Sequence, residues 1–269
     1  MNASEQRFVR EIKAFYKKEG RHDLPWRQTA DPYRITVSEI MLQQTQVPRV
    51  LSKYREFLTA FPTVHKLAEA ALRDVLRTWS GLGYNRRAKF LHQMAQSIVR
   101  DHKGTFPTTL EGLKQLPGIG PYTAGAIYAF AYGKPEPIIE TNIRTVYIHH
   151  FFKDKQDISD KEIMQKVAAT IDHKNPREWY WALMDYGSYL KSIGIKNNAK
   201  SKHYTKQSKF EGSKRQIRGA IMRELIKGGK TLVQITKAIG KEKEITQGVL
   251  DDLVKEGFVE KVRGKYMIY

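Results

Sequence analysis

Residues 121–132 read PYTAGAIYAFAY, apolar or small around the whole circumference of a helix. A helix with no polar face cannot lie at a surface and has to be wrapped by other elements. The chain must therefore build a core from several helices, and the neighbouring patterns supply them. Phe8, Ile12, Phe15 and Tyr16 recur at helical spacing as far as Gly20. The same reading gives helices over 35–61 (with Pro48 opening a second one), 64–78, 86–102, 110–115, 142–151, 159–171 and 176–190. Residues 23–33, with two prolines among turn-formers, read as an ordered loop.

Charge narrows the partner. Lys and Arg number 47 against 28 Asp and Glu, a formal +19 over 269 residues. Such a surplus suits a polyanion, and nucleic acid leads. A membrane partner is not expected. No stretch approaches 18 apolar residues, and no strongly basic helix carries an aromatic apolar face. The charged N-terminus does not read as a secretory signal, so an intracellular location, cytoplasm or nucleoid, is expected. With no cysteine there is no thiolate zinc site, cysteine nucleophile or ordinary iron–sulfur cluster. His149, His150 and His203 read as solvated or packed.

After Leu190 the composition shifts. Residues 191–218 carry nine Lys or Arg (191, 196, 200, 202, 206, 209, 214, 215 and 218) and one acid, Glu211. This reads as a basic linker or DNA-contacting arm. Helices follow at 213–227, from a Thr231 cap to Ile239, and at 244–256. Two short apolar runs, 258–262 and 265–269, then meet at Arg263-Gly264. Three helices and a hairpin in that order give a winged-helix-like module.

LPGIG (116–120) sits between two helices. Gly118 and Gly120 let backbone approach a ligand closely, and the following helix offers unpaired N–H groups and its positive end, suited to phosphate. An ordinary helix–helix turn can read the same way; the surplus positive charge favours DNA. With this hairpin, the runs LPWRQTADPYRITVSEIMLQQTQV (24–47), FPTVHKLAEA, WSGLGYNRRAKFLH (79–92) and LPGIGPYTAGAIYAFAYGKPEPIIETNIRTVY (116–147) closely resemble the MutY family of adenine mismatch DNA glycosylases, within the helix–hairpin–helix superfamily that includes endonuclease III. The resemblance spans roughly residues 5–190.

It implies a mainly α, two-lobed glycosylase fold. One lobe is expected at 30–134 and the other at 1–29 plus 135–204, with 205–269 as basic linker and winged-helix-like domain. Glu39 falls on the family's general acid, which protonates the base to be released. Glu140 falls on a second carboxylate, where the family has Asp in an Asp-Gly-Asn run and this chain has Glu140-Thr141-Asn142. A carboxylate there stabilises a cationic sugar or traps it covalently before water attacks. Tyr122 stands where relatives with strand-cleaving activity carry a Schiff-base lysine, so no efficient lyase step is expected. Tyr122 and Asn142 would line the site.

Gln44 and Tyr84 match residues that enter the DNA stack when a base is flipped out, with Gln43 assisting. Arg86, Arg87, Gly118, Gly120, Thr123, Lys214 and Arg215 complete the expected DNA contacts. Trp26 and Arg27 are candidates for the base-pocket wall. The hairpin form also implies a Na+ or K+ on the backbone carbonyls of Lys114, Leu116 and Ile119, with no cofactor required. The family's iron–sulfur cluster would be missing; packing by Tyr186, Tyr189, Ile193, Ile195 and Tyr204 is expected to stiffen residues 184–204 instead.

The implied activity is monofunctional hydrolysis of the N-glycosidic bond of a flipped base in duplex DNA, adenine opposite guanine or 8-oxoguanine first, by a monomer. The alternatives are a uracil, thymine or other damaged-base glycosylase, or a non-catalytic lesion-binding or regulatory protein.

Overall fold

The computed structural model describes residues 1–205 and 209–268. Lys206 of the basic segment and Tyr269 of the second apolar run lie outside the described residues. The helices run α1 (Ala3–Glu19), α2 (Pro32–Leu42), α3 (Val47–Ala60), α4 (Val64–Glu69), α5 (Leu72–Trp79), α6 (Asn85–His102), α7 (Leu110–Lys114), α8 (Pro121–Tyr132), α9 (Thr141–Phe151), α10 (Asp160–Thr170) and α11 (Pro176–Ser192). Then come α12 (Lys214–Ile226), β1 (Lys230–Thr231), α13 (Leu232–Ile239), α14 (Lys243–Lys255), β2 (Val259–Val262) and β3 (Lys265–Ile268).

Two compact units emerge: Met1–Glu39 with Pro107–Gln115 and Ile119–Lys206, and Ile40–Phe106 with Leu116–Gly118 and Gln207–Tyr269. These boundaries differ from the lobes expected from sequence. The all-apolar helix is the reason on one side: α8 gives Ala126, Ala129 and Phe130 to a core shared with Phe8, Ile12, Val146, Tyr147 and Leu183. The C-terminal module, expected to stand alone, clusters with the helices of residues 40–106.

In the first unit, α1 starts at a capping box between Asn2 and Glu5 and buries Phe8, Ile12 and Tyr16. Phe8 meets Tyr147 at 5.2 Å and Trp179 at 5.9 Å between ring centroids. Each such side chain contributes about 1.5–3 kcal/mol by leaving water. Buried Asp185 on α11 anchors the loop after α1. It accepts from Arg21 Nε at 2.8 Å and from Arg27 Nη1 and Nη2 at 2.7 and 2.8 Å. Residues 191–204 are not a free linker. Ile158 N–H donates to the Lys200 carbonyl, Lys202 N–H to the Ile158 carbonyl, and Asn198 Nδ2 to the Thr141 carbonyl. Of the five residues expected to stiffen this stretch, Tyr186 and Ile195 pack on the core, and Tyr189, 43% exposed, meets Phe15 in a tilted ring contact at 5.1 Å between centroids. Ile193 and Tyr204 are exposed. Backbone pairing does the work assigned to them.

In the second unit, the single helix expected at 64–78 is two, because Ala70 and Ala71 adopt extended backbone. Along one helix Leu67 and Leu72 would face different directions; the break lets Leu67, Leu72, Val75, Leu76 and Trp79 all be buried. Gly118 has φ +74°, and a Cβ there would lie 2.5 Å from Phe90 Cβ, so the hairpin turn accepts glycine alone. The C-terminal module has winged-helix order. Its antiparallel sheet runs β1-β3-β2, with Val259 opposite Ile268 and Lys230 opposite Tyr266. Ile221, Met222, Leu250, Leu253 and Tyr266 fill its core.

Candidate active site

Glu39 lies on α2, 7% exposed. The Tyr122 hydroxyl, on the first turn of α8, donates to Glu39 Oε2 at 3.0 Å. Burial pushes the Glu39 carboxyl up to about 7; the Tyr122 hydrogen bond opposes this, the Glu140 charge adds to it, and Arg27 opposes it. A carboxyl half-protonated near neutrality is a usable proton donor. Burial, and then the charge of Glu39, hold the Tyr122 phenol well above its ordinary range, so it stays a neutral donor.

Glu140 caps α9. Its Oε1 accepts from the backbone N–H of Asn142 at 2.7 Å and of Ile143 at 2.9 Å, and Oε2 accepts from Asn142 Nδ2 at 3.3 Å. Burial raises the Glu140 carboxyl, while those backbone donors, Lys191 and Arg144 pull the other way. The two carboxyls are thus near enough to feel each other and differently served. Glu39 receives one hydroxyl; Glu140 is held by a helix N-terminus and nearby cations, which favour its anion.

Lys191 reads in the sequence only as one cation of the basic segment. Its Nζ donates to Asn142 Oδ1 at 2.7 Å, and burial lowers its proton affinity against the opposing pull of Glu140. The two residues are far apart in sequence, and no local motif signals their meeting. Gly187, one turn earlier on α11, lets α11 approach; a Cβ there would sit 2.5 Å from the Asn142 carbonyl oxygen.

Trp26 and Arg27 are buried; the Arg27 guanidinium donates to Asp185 and the Arg21 carbonyl, and its charge reaches Glu39. Thr123, on the first turn of α8, is buried. Gly118 and Gly120 are exposed on the hairpin, as is Lys114, while Leu116 and Ile119 are buried. Gly120 caps α8 with no side-chain acceptor on the first turn.

Arg87, expected at a phosphate, is an internal staple. Its Nη1 donates to the carbonyls of Ile40, Met41 and Gln43 at 2.8, 2.9 and 2.5 Å, and its Nη2 to Thr45 Oγ1, Leu82 O and Gly83 O. A guanidinium so engaged has no fork left for a phosphate. It ties the turn carrying Gln43 and Gln44 to the turn carrying Tyr84. Gln44 (φ +54°) and Tyr84 (φ +49°) both adopt left-handed backbone, costly for non-glycine residues and common at functional sites. Tyr84 is 39% exposed. Arg86 pairs with Glu256 at 3.0 Å, Lys214 with Asp252, and Arg215 Nη1 donates to Tyr84 Oη at 2.8 Å.

Among the described residues no group of three or more His, Cys, Asp or Glu is placed to hold a metal ion, and no helix is long and apolar enough to cross a membrane. The family's iron–sulfur cluster does not fit this chain, which has no cysteine to hold it.

Residues 37–172 match the model of the HhH-GPD superfamily base excision DNA repair proteins. The chain is 41% identical over 179 residues to an adenine DNA glycosylase of Mycobacterium tuberculosis, covering 65% of this chain and 59% of the relative. It is 31% identical over 178 residues to a thymine/uracil-DNA glycosylase of Pyrobaculum aerophilum, covering 64% of this chain and 77% of the relative. A thermostable thymine-DNA glycosylase superposes with a TM-score of 0.64 at 24% identity, covering 73% of this chain and 92% of that one, a likeness of fold.

Proposed function

The chain belongs to the HhH-GPD superfamily of base excision DNA repair proteins, and from that premise we propose that it is a monofunctional DNA glycosylase releasing adenine mispaired with guanine or 8-oxoguanine. The observation that carries this is the buried Glu39 carboxyl, raised to about 7 and hydrogen-bonded by Tyr122, within the electrostatic reach of Glu140. Adenine is supported by the 41%-identical adenine DNA glycosylase.

In this reading Glu39 gives its proton to a ring nitrogen of the flipped base as the C1′–N bond breaks. The electron pair leaves with the base, and the sugar becomes an oxocarbenium ion. The Glu140 anion stabilises that cation until water adds at C1′ and loses a proton. Tyr122 and Asn142 orient the two carboxyls. Tyr122 offers no amine, so base release ends at an abasic site. Gln44 and Tyr84 fill the gap left by the base, Gln43, Arg86 and Lys214 lie beside the duplex, and Gly118 and Gly120 bring backbone N–H groups to a phosphate. The Lys114, Leu116 and Ile119 carbonyls are neutral oxygen donors of the kind a Na+ or K+ takes. The protein would act inside the cell, as a monomer on duplex DNA.

The test incubates labelled duplexes bearing A:8-oxoG, A:G, U:G, T:G or hypoxanthine, followed by alkali. Adenine release that disappears in Glu39→Gln supports the reading; tight binding without cleavage across the panel overturns it. A second reading, release of thymine or uracil opposite guanine, rests on the 31%-identical thymine/uracil-DNA glycosylase, and the T:G and U:G duplexes decide it.

A further inference from the structure

The C-terminal module is fixed to the N-terminal end of α6, beside Tyr84. Lys89 Nζ donates to the carbonyls of Glu256 and, at 2.9 Å, Gly257, where α14 ends. Arg218 of α12 forks onto Glu256 at 2.8 and 2.6 Å, and Arg86 reaches the same carboxylate. Buried Phe258 lies between cations, with Lys89 Nζ and Arg218 Cζ each 5.0 Å from its ring centroid. These contacts set the start of α12 over the turn before α6.

There Arg215 Nη1 meets Tyr84 Oη at 2.8 Å, its Cζ 6.0 Å from the ring centroid. Arg87 Cζ is 5.5 Å from the same ring. Two features suggest that the contact has a purpose. The first turn of α12 holds Lys214 and Arg215 and no acid, so two cations face the positive end of the helix, an arrangement that costs stability. Tyr84 itself adopts a left-handed backbone unfavourable to an aromatic residue.

We propose that Arg215, delivered by the C-terminal module, is a positioning residue for Tyr84. Its guanidinium holds the phenol oxygen and so presets the orientation in which the ring enters the duplex. The module thereby takes part in probing the base stack. This rests on the reading of Tyr84 as the stack-entering residue.

The test avoids base release. A duplex carries a tetrahydrofuran abasic analogue opposite guanine, with 2-aminopurine beside it, and the full-length protein is titrated in by fluorescence. The wild type should raise 2-aminopurine emission by unstacking it; no rise over an unmodified duplex removes the underlying reading of Tyr84, and the proposal with it. Arg215→Ala should blunt the rise and weaken binding about three- to tenfold, the net scale of one solvent-exposed hydrogen bond. Tyr84→Phe, which keeps the ring and leaves the module's own contacts intact, should give the same loss. Adding Arg215→Ala to Tyr84→Phe should then cost nothing more. An undiminished penalty in that background, with a salt dependence shallower by about one phosphate contact, would show that Arg215 grips the backbone independently and would overturn the proposal. So would Arg215→Ala behaving as wild type.

Discussion

Tyr122 Oη donates to Glu39 Oε2 at 3.0 Å, joining the second residue of α8 to a carboxyl on α2 that burial has pushed to about 7. Base release should therefore decline as pH rises through about 7, where Glu39 loses its proton. A single-turnover pH profile checks this, and a rate that keeps climbing from pH 7 to 9 would remove Glu39 as the acid. The same shift bears on stability. The folded value lies above the ordinary 4.5, so the folded state binds more protons between these limits. Stability is greatest below about 4.5, falls across the window and is flat above it, a loss of up to about 3 kcal/mol. Glu39→Gln should abolish base release and raise the thermal midpoint at pH 8 but not at pH 4.5.

Glu140 spans the N–H groups of Asn142 and Ile143, the second and third residues of α9, with one oxygen. Aspartate can still cap a helix, so Glu140→Asp should fold normally, but its carboxylate withdraws by about one C–C bond, ~1.5 Å. On that scale the rate should drop on the order of 100-fold. Glu140→Gln keeps the length, lacks the charge and should be at least as impaired. A faster Glu140→Asp enzyme in single-turnover assays would mean instead that the longer acid is a compromise.

Lys191 favours the Glu140 anion and holds Asn142. Removing the cation in Lys191→Met should raise the Glu140 proton affinity. Since the proposed role requires the anion, activity should be lost at the acidic end first, the acid limb of the profile moving to higher pH. Lys191→Arg should restore part of the limb. A uniform loss at every pH would mark Lys191 as merely structural.

Arg87 serves five backbone carbonyls and one hydroxyl. Arg87→Met leaves several of these acceptors without a donor, and should cost about 2–4 kcal/mol. Thermal melting reads this directly. A variant as stable as the wild type would return Arg87 to the list of phosphate contacts.

The local patterns in the chain go a long way. The period of apolar residues marks most helices, Thr231 and Gly264 punctuate the C-terminal module, and the SEIMLQQ and LPGIG runs draw attention to Glu39 and the hairpin. What they do not carry is pairing across distance. Arg87 reads as one more exposed cation in NRR until its carbonyl partners are seen, and Lys191 as one more charge in a basic tail until α11 packs against α9. The docking of the module through Lys89 and Glu256 is invisible for the same reason. A hydrogen bond between segments more than a hundred residues apart leaves no period behind. The break at Ala70 and Ala71 escapes because alanine favours helix, and only competition for interior places overrides it.

One guanidinium, that of Arg87, grips both the turn bearing Gln44 and the turn bearing Tyr84. The two tips are thereby mounted on a single rivet and keep a set gauge, so neither can be retracted or advanced alone. Changing the spacing between them for an enlarged or cross-linked nucleotide would mean redesigning position 87 first.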